Sequence, residues 1–206
     1  MAVDGRVVTG FSHPCVAVYA AGEGATVTYS KGMTLARGVS VKLNIKEATS
    51  NDFYADNHLA ESETGMFADG SVDLEVDGLH PAAEKLIAGL PEATPVTYGS
   101  EQTTNVTKYG DGAVIPYVGI GYVTEYTSEG VKIYVPTILR KAKFGQISNA
   151  AHTREASTDW QTQTLTAQLM RDDTAGHDWK WVGQDCTTEA EAMQIVDGLL
   201  NISRGD

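Results

Sequence analysis

Cysteine is almost missing from this chain: Cys15 and Cys186 are the only two in 206 residues. Two thiols near opposite ends make no disulfide framework, and their scarcity points to a reducing compartment. Long apolar runs are missing too. No window approaches the length of a membrane span, and the opening MAVDGRVVTGFSHP has no basic segment followed by an apolar stretch, so neither a membrane span nor a secretory signal is expected. Positive charge is scarce: 15 Lys and Arg stand against 27 Asp and Glu, a net charge of -12. That balance excludes ordinary electrostatic binding to a nucleic-acid backbone, but suits a surface that lets a polyanion pass without sticking. There is no internal repeat, heptad or low-complexity tract.

What is present is globular and leans towards β structure. Hydrophobic residues make up 42% and charged residues 20%, with 21 glycines and nine tyrosines. Residues 1–14 read as an arm ending at Pro14, followed by a strand over Cys15–Tyr19. The clearest alternation comes next. Val39, Val41, Leu43 and Ile45 alternate with Ser40, Lys42, Asn44 and Lys46, the period of a strand with one buried and one wet face. From about 47 to 69 the period fails, which predicts a long acidic loop; loops of this length in compact domains usually serve a function or meet a partner.

Val72, Leu74 and Val76 then alternate with Ser71, Asp73, Glu75 and Asp77. A helix is expected over about 80–90, with Pro81 in its first turn, Ala83, Leu86, Ile87 and Leu90 on one face, and Gly89 at its stop. Residues 91–112 read as polar and turn-rich. Val114–Tyr126 and Val131–Phe144 form a hairpin, and Gly119 and Gly121 share a strand face where something packs closely or the strand bends. After a second polar stretch over 145–159, Thr162–Met170 alternates again. Trp179 and Trp181 share one face of a late strand. Thr188 with Glu191 forms a capping box that opens a second helix over 188–200, whose apolar stripe is Ala192, Met193, Val196, Leu199 and Leu200. The fold expected is mainly β, sandwich or barrel-like, with two short helices.

Chemistry is thin. Asp73 and Glu75 project from one strand face and could act as a glycosidase acid and base, but no aromatic sugar platform accompanies them; a solvated face charge-paired with Lys42 and Lys46 is the better reading. Asp52, Asp56, His58, Glu61 and Glu63 lack the ligand spacing and turn glycine of a calcium loop. The five histidines show no paired zinc spacing, and neither Ser12-His13 nor His152-Thr153 sits in a nucleophile turn. Arg140, Lys141 and Lys143 are too few for a nucleic-acid reader and fit a solvated face or a subunit salt bridge. The terminal Arg204-Gly205-Asp206 is a chance tripeptide. No catalytic residue, cofactor or metal is expected.

Three segments together resemble the major tail protein family of long-tailed bacteriophages, the subunit of the tail tube. Asn51-Asp52-Phe53-Tyr54-Ala55-Asp56-Asn57 is similar to that family's FYADN segment after its long alternating strand. Gly70–Val76 followed by the helix over 81–89 resembles its strand-then-helix unit. The hairpin over 114–144, the loop over Thr153–Asp159 and the strand Thr162-Gln163-Thr164-Leu165 resemble its later order. The likeness covers most of residues 33–183; the segments 91–113 and 188–200 vary in such proteins.

The resemblance implies a non-enzymatic virion protein: one tail-tube domain over 1–206, forming hexameric rings that stack into a tube conducting DNA during ejection. Strands of each subunit would join a continuous barrel, with Lys42, Asn44, Lys46, Asp73 and Glu75 lining its lumen. Phe53, Tyr54, Asp56, Asn57, Glu61 and Glu63 would make contacts between rings. The implied partners are further copies of the chain, the tape measure protein, the tail tip and tail terminator proteins, and DNA passing without sequence recognition; no membrane is involved. The implied location is the virion tail, assembled in the host cytoplasm. The likeness extends to tubes of contractile tails and type VI machines. An isolated β-sandwich binding module is the alternative from another class.

Overall fold

The computed structural model describes residues 5–48, 51–63, 67–148, 153 and 160–204. It is mainly β with two helices. The strands are β1 (Val7–Ala21), β2 (Val27–Thr34), β3 (Gly38–Glu47), β4 (Asn51–Ala55), β5 (His58–Glu63), β6 (Phe67–Val76), β7 (Thr94–Tyr98), β8 (Gln102–Val106), β9 (Val118–Ser128), β10 (Val131–Phe144), β11 (Gln163–Met170) and β12 (Lys180–Val182). The helices are α1 (Pro81–Ile87) and α2 (Glu189–Leu199). One eight-stranded antiparallel sheet runs β2-β1-β9-β10-β11-β6-β3, with β12 also paired to β10; β4-β5 and β7-β8 are separate two-stranded ribbons.

The two ends of this sheet, β2 and β3, are consecutive in sequence and joined only by Leu35, Ala36 and Arg37. So short a link cannot cross a flat sheet of this width, so the sheet rolls until its ends approach each other. The Leu35 amide donates to the Pro14 carbonyl, and Phe11 packs where a side chain on Gly38 would stand. The roll encloses one core of Val16, Leu35, Val72, Leu74, Val76, Val118, Ile120, Tyr122, Leu139, Phe144, Leu165 and Leu169, completed by Ala83 and Ile87 of α1. Pro81 starts that helix, with the His80 ring accepting from the Ala82 amide. Gly89 ends it at φ 62°, its Cα pressed against the Val114 carbonyl so closely that no Cβ fits.

Outside the roll, β1, β9 and β10 are covered a second time. Helix α2 lays Ala192, Val196 and Leu200 on Cys15, Ala17, Val123 and Ile138. This is why β9 begins with an unbroken run of buried residues, whereas β11 alternates buried and exposed. The shared face of Gly119 and Gly121 is where the helix sits: a Cβ on Gly121 would lie 2.5 Å from Val196 and 2.8 Å from Leu200. Gly121→Val is therefore expected to destabilise the fold by about 1–3 kcal/mol through overpacking, measured as a fall in the thermal or urea midpoint. An unchanged midpoint would mean that α2 does not rest on β9.

Several expectations need correction. Residues 7–14 are no arm: β1 starts at Val7 and pairs with β9 from Thr127 onwards. Pro14 cannot donate to a ladder, but it sits in a register shift between Ser12 and Cys15, a bulge that bends the strand without ending it. The segment 47–69 is no loop in its described part, and 91–112 holds a second hairpin. Asp56 and Asn57, at φ 52° and 64°, form a two-residue turn of left-handed type between β4 and β5. Gly99 at φ 63° helps turn β7 into β8.

The tryptophans divide. Trp179 precedes β12 and stacks on Phe67 with centroids 4.7 Å apart, whereas Trp181 lies over Arg140. Arg140 itself is buried rather than solvated, paired with Asp172. Most of the 145–159 stretch, including His152 and most of the Thr153–Asp159 loop, lies outside the described residues.

Candidate functional site

Strands β11, β6 and β3 are covered on one face only; the other is an uninterrupted polar surface built by the alternation of all three. Register sets Ser40 opposite Glu75 and Thr164 beyond it, then Lys42, Asp73 and Thr166, then Asn44, Ser71 and Gln168. The five lumen candidates Lys42, Asn44, Lys46, Asp73 and Glu75 thus lie on one surface. Each oxygen of the two carboxylates accepts from an uncharged neighbour. Asp73 takes Thr166 at 2.7 Å and Asn44 at 3.0 Å; Glu75 takes Thr162 at 2.5 Å and Ser40 at 2.9 Å.

The lysines do not neutralise this pair, contrary to expectation. Lys46 pairs with Asp69 at 3.2 Å, and Lys42 reaches no carboxylate among the described residues. Along β3 and β6 the carboxylates Asp69, Asp73 and Glu75 outnumber Lys42 and Lys46, while Asp77 is neutralised by Arg37 at 2.5 Å. The hydroxyl of Thr162, then that of Ser40, holds the Glu75 carboxyl below its ordinary range. A group kept ionised in this way is ill suited to be the proton donor of a glycosidase pair. The surface presents negative charge and hydrogen-bonding groups.

The sheet's ends are the second feature. Among the described residues the outer edges of β3 and β2 have no strand neighbour. On β6 the inward residues Val72, Leu74 and Val76 are fully buried, but on β3 the equivalent row is left incomplete. Val39 is 48% and Ile45 39% exposed, and Val41 and Leu43 are half-buried. The ribbon beyond β3 and β6 keeps their register: Glu47 faces Phe67, and Asn51 faces Glu63 four residues further along each strand. Its turn residues Asp56 and Asn57 are exposed; the side chains of Phe53, Tyr54, Glu61 and Glu63 lie outside the described part. The β7-β8 ribbon is exposed along its whole length, with Val96, Tyr98 and Val106 open to solvent. A two-stranded ribbon is marginal alone and gains stability when it packs on something.

One cluster escaped the sequence reading. His13, Cys15 and Asp197 bring an imidazole, a thiol and a carboxylate within 4.8 Å of one another. His-x-Cys was visible at positions 13 and 15, but Asp197 comes from the far end of the chain. The arrangement is not a nucleophile triad. A relay needs the acid on one ring nitrogen and the nucleophile on the other, whereas Cys15 Sγ at 3.0 Å and Asp197 Oδ1 at 2.8 Å both lie against Nε2. Burial, reinforced by the Asp197 charge, also pushes the Cys15 thiol up to about 12.

The depression lined by Asp77, Thr162 and Thr164 borders this surface, and there Asp77 is already paired with Arg37. No helix is long and apolar enough to cross a membrane among the described residues. No protein-family model matches the sequence, and no curated protein matches it either.

Proposed function

We propose that this chain is the subunit of a phage tail tube, a structural virion protein that closes into stacked hexameric rings around a DNA-conducting channel. The observation that carries the reading is the unfinished edge strand β3. Its inward row Val39, Val41, Leu43 and Ile45 is only partly covered, and among the described residues no strand pairs with its outer backbone edge. An exposed edge of this kind is an aggregation hazard unless another chain completes it, and closure of a barrel across subunits removes it. The resemblance of the segments 51–57, 70–89 and 114–165 to tail tube proteins supplies the kind of assembly.

In this reading the polar face of β3, β6 and β11 lines the channel. Its carboxylates Asp73 and Glu75 are held by hydroxyl and amide donors, and the negative charge they present would repel phosphate as DNA slides past. The ribbon ending at Asp56 and Asn57 reaches the next ring. Partners would be further copies of the chain, the tape measure protein, and the tip and terminator proteins, with assembly in the host cytoplasm and residence in the virion tail. A contractile-tail or type VI tube would use the same surfaces.

The test is electron microscopy with gel filtration of the purified chain, alone and co-expressed with its tail partners. Rings or tubes with an axial hole are expected. A monomer under every condition would reject the proposal and leave a β-sandwich binding module as the reading. If a ring structure showed more Lys and Arg than Asp and Glu on the channel wall, the electrostatic part would fail while the tube stood.

A further inference from the structure

The crowding at His13 asks for an explanation that a tube subunit does not supply. His13 is 9% exposed and Cys15 fully buried, at the bulge of β1, where His13 adopts a left-handed φ of 58°. That conformation turns its ring towards the last turn of α2 and the Asp197 carboxylate. Nε2 then has Cys15 Sγ at 3.0 Å, Asp197 Oδ1 at 2.8 Å and an Arg204 nitrogen at 2.6 Å. A ring nitrogen either donates one proton or accepts one, so hydrogen bonding can satisfy only one of these three neighbours well. Arg204 also pairs with Asp197 at 2.7 Å and lies 2.9 Å from the second ring nitrogen. Its guanidinium thus puts a positive charge where imidazole, thiol and carboxylate converge, from a side chain that is half exposed at the chain's end.

We propose that His13, Cys15 and Asp197 form a site for a divalent transition metal of the zinc or cobalt type, with Arg204 as the cation that stands in when the metal is gone. The donor set is one imidazole nitrogen, one sulfur and one carboxylate oxygen, three corners of a tetrahedron, and Arg204's departure leaves the fourth to water. The charges balance. The metal brings two positive charges; the carboxylate already carries one negative charge, and the thiol supplies the other by releasing its proton to solvent. The buried site is then neutral, and Arg204 leaves for water. Metal coordination deprotonates a thiol that burial otherwise keeps protonated. Bound metal would clamp the first strand to the last helix. This site lies apart from the polar face and stands whether or not the chain forms a tube.

The test titrates the full reduced chain with Co²⁺ and with Zn²⁺, following sulfur-to-cobalt charge-transfer absorption and the melting temperature. One equivalent of Co²⁺ is expected to bring the absorption, Zn²⁺ to displace it, and either metal to raise the melting temperature. His13→Asn, which tolerates the left-handed backbone, and Cys15→Ser are each expected to weaken binding about tenfold or more. Cys186→Ser should leave binding unchanged. Arg204→Ala removes a half-exposed side chain that pairs with Asp197; it should tighten binding by removing the competing cation, and the metal-free melting temperature of this variant shows what the lost pair costs the fold. Absence of the absorption from the unaltered chain overturns the proposal. So does absorption that survives Cys15→Ser, or an affinity that Arg204→Ala leaves unchanged or lowers.

Discussion

Asp172→Ala is expected to lower the stability of this protein by about 3–5 kcal/mol, the cost of leaving a buried charge without its partner. At about 2–4 °C per kcal/mol for a chain of this size, the melting temperature should fall by roughly 6–20 °C. Asp172 is fully buried and Arg140 nearly so. The carboxylate accepts from the Arg140 Nε at 2.9 Å on one oxygen, and from the Thr174 amide and hydroxyl on the other. The guanidinium in turn lies 3.5 Å from the Trp181 ring centroid, and Tyr29 donates its hydroxyl to the Arg140 carbonyl. Beside it, Asp173 takes Lys141 and the Tyr19 hydroxyl, so the whole turn is pinned to β10 and β1.

Truncation leaves Arg140 charged under an aromatic ring with nothing to pair with. Replacing both partners, as Arg140→Met with Asp172→Leu, should recover much of the loss, since apolar residues need no partner there. A single variant melting within a degree or two of the parent would show that the pair is solvated.

Asp172 also sets an acid limit. Burial opposes its ionisation, but the bonds from Thr174 and Arg140 outweigh it and hold the carboxyl below its ordinary value of 3.8. A carboxyl depressed by folding stabilises the native state in full above that ordinary value, and the contribution fades as pH falls through the lowered one. The difference between parent and Asp172→Ala in urea unfolding should therefore be constant from neutral pH down to about 4 and shrink below it. A difference that grew on acidification would refute the assignment.

The second large effect concerns assembly. If the chain assembles as proposed, Val39→Lys combined with Ile45→Lys is expected to abolish rings and tubes while leaving the melting temperature of the isolated chain nearly unchanged. Both residues are more than a third exposed, so charging them costs the monomer little, about 0.5 kcal/mol each. In an assembled barrel the same positions lie against a neighbouring strand, and paired lysines there repel and lose hydration. Val131→Lys, at the exposed start of β10, serves as the control: it adds a charge away from the β3 edge. Tubes persisting in micrographs of the double variant would show that β3 is not the joint.

Local order was legible because local forces make it. The Thr188 cap with the Glu191 amide and the Pro81 start and Gly89 stop of α1 each depend on residues within a turn of one another. The shared face of Gly119 and Gly121 announced close packing but not its occupant, Val196 and Leu200, some seventy-five residues on. The candidate surface was readable for the same reason: alternation alone puts Lys42, Asn44, Asp73 and Glu75 on wet faces. Their hydrogen-bond partners, Thr162 and Thr166, come from β11, a strand that only the sheet order sets beside β6.

What misled the reading was polarity taken for loop and charge taken for exposure. The ribbon at 94–106 lacks apolar alternation because it buries no face in the chain, and backbone pairing holds it, like that at 51–63, as a strand pair. Arg140 looked solvated because nothing near it in sequence is acidic; Asp172, thirty-two residues later, makes its burial tolerable.

By itself the sequence determined a mainly-β protein with two helices and one wet sheet face, since period, caps and turn residues act over a few ångströms. The tertiary structure alone decided that the sheet rolls until β2 and β3 approach, that α2 covers β9, and that His13 meets Asp197 across 184 positions. Such meetings follow from the order in which strands pair, a property of the whole chain that no short window contains.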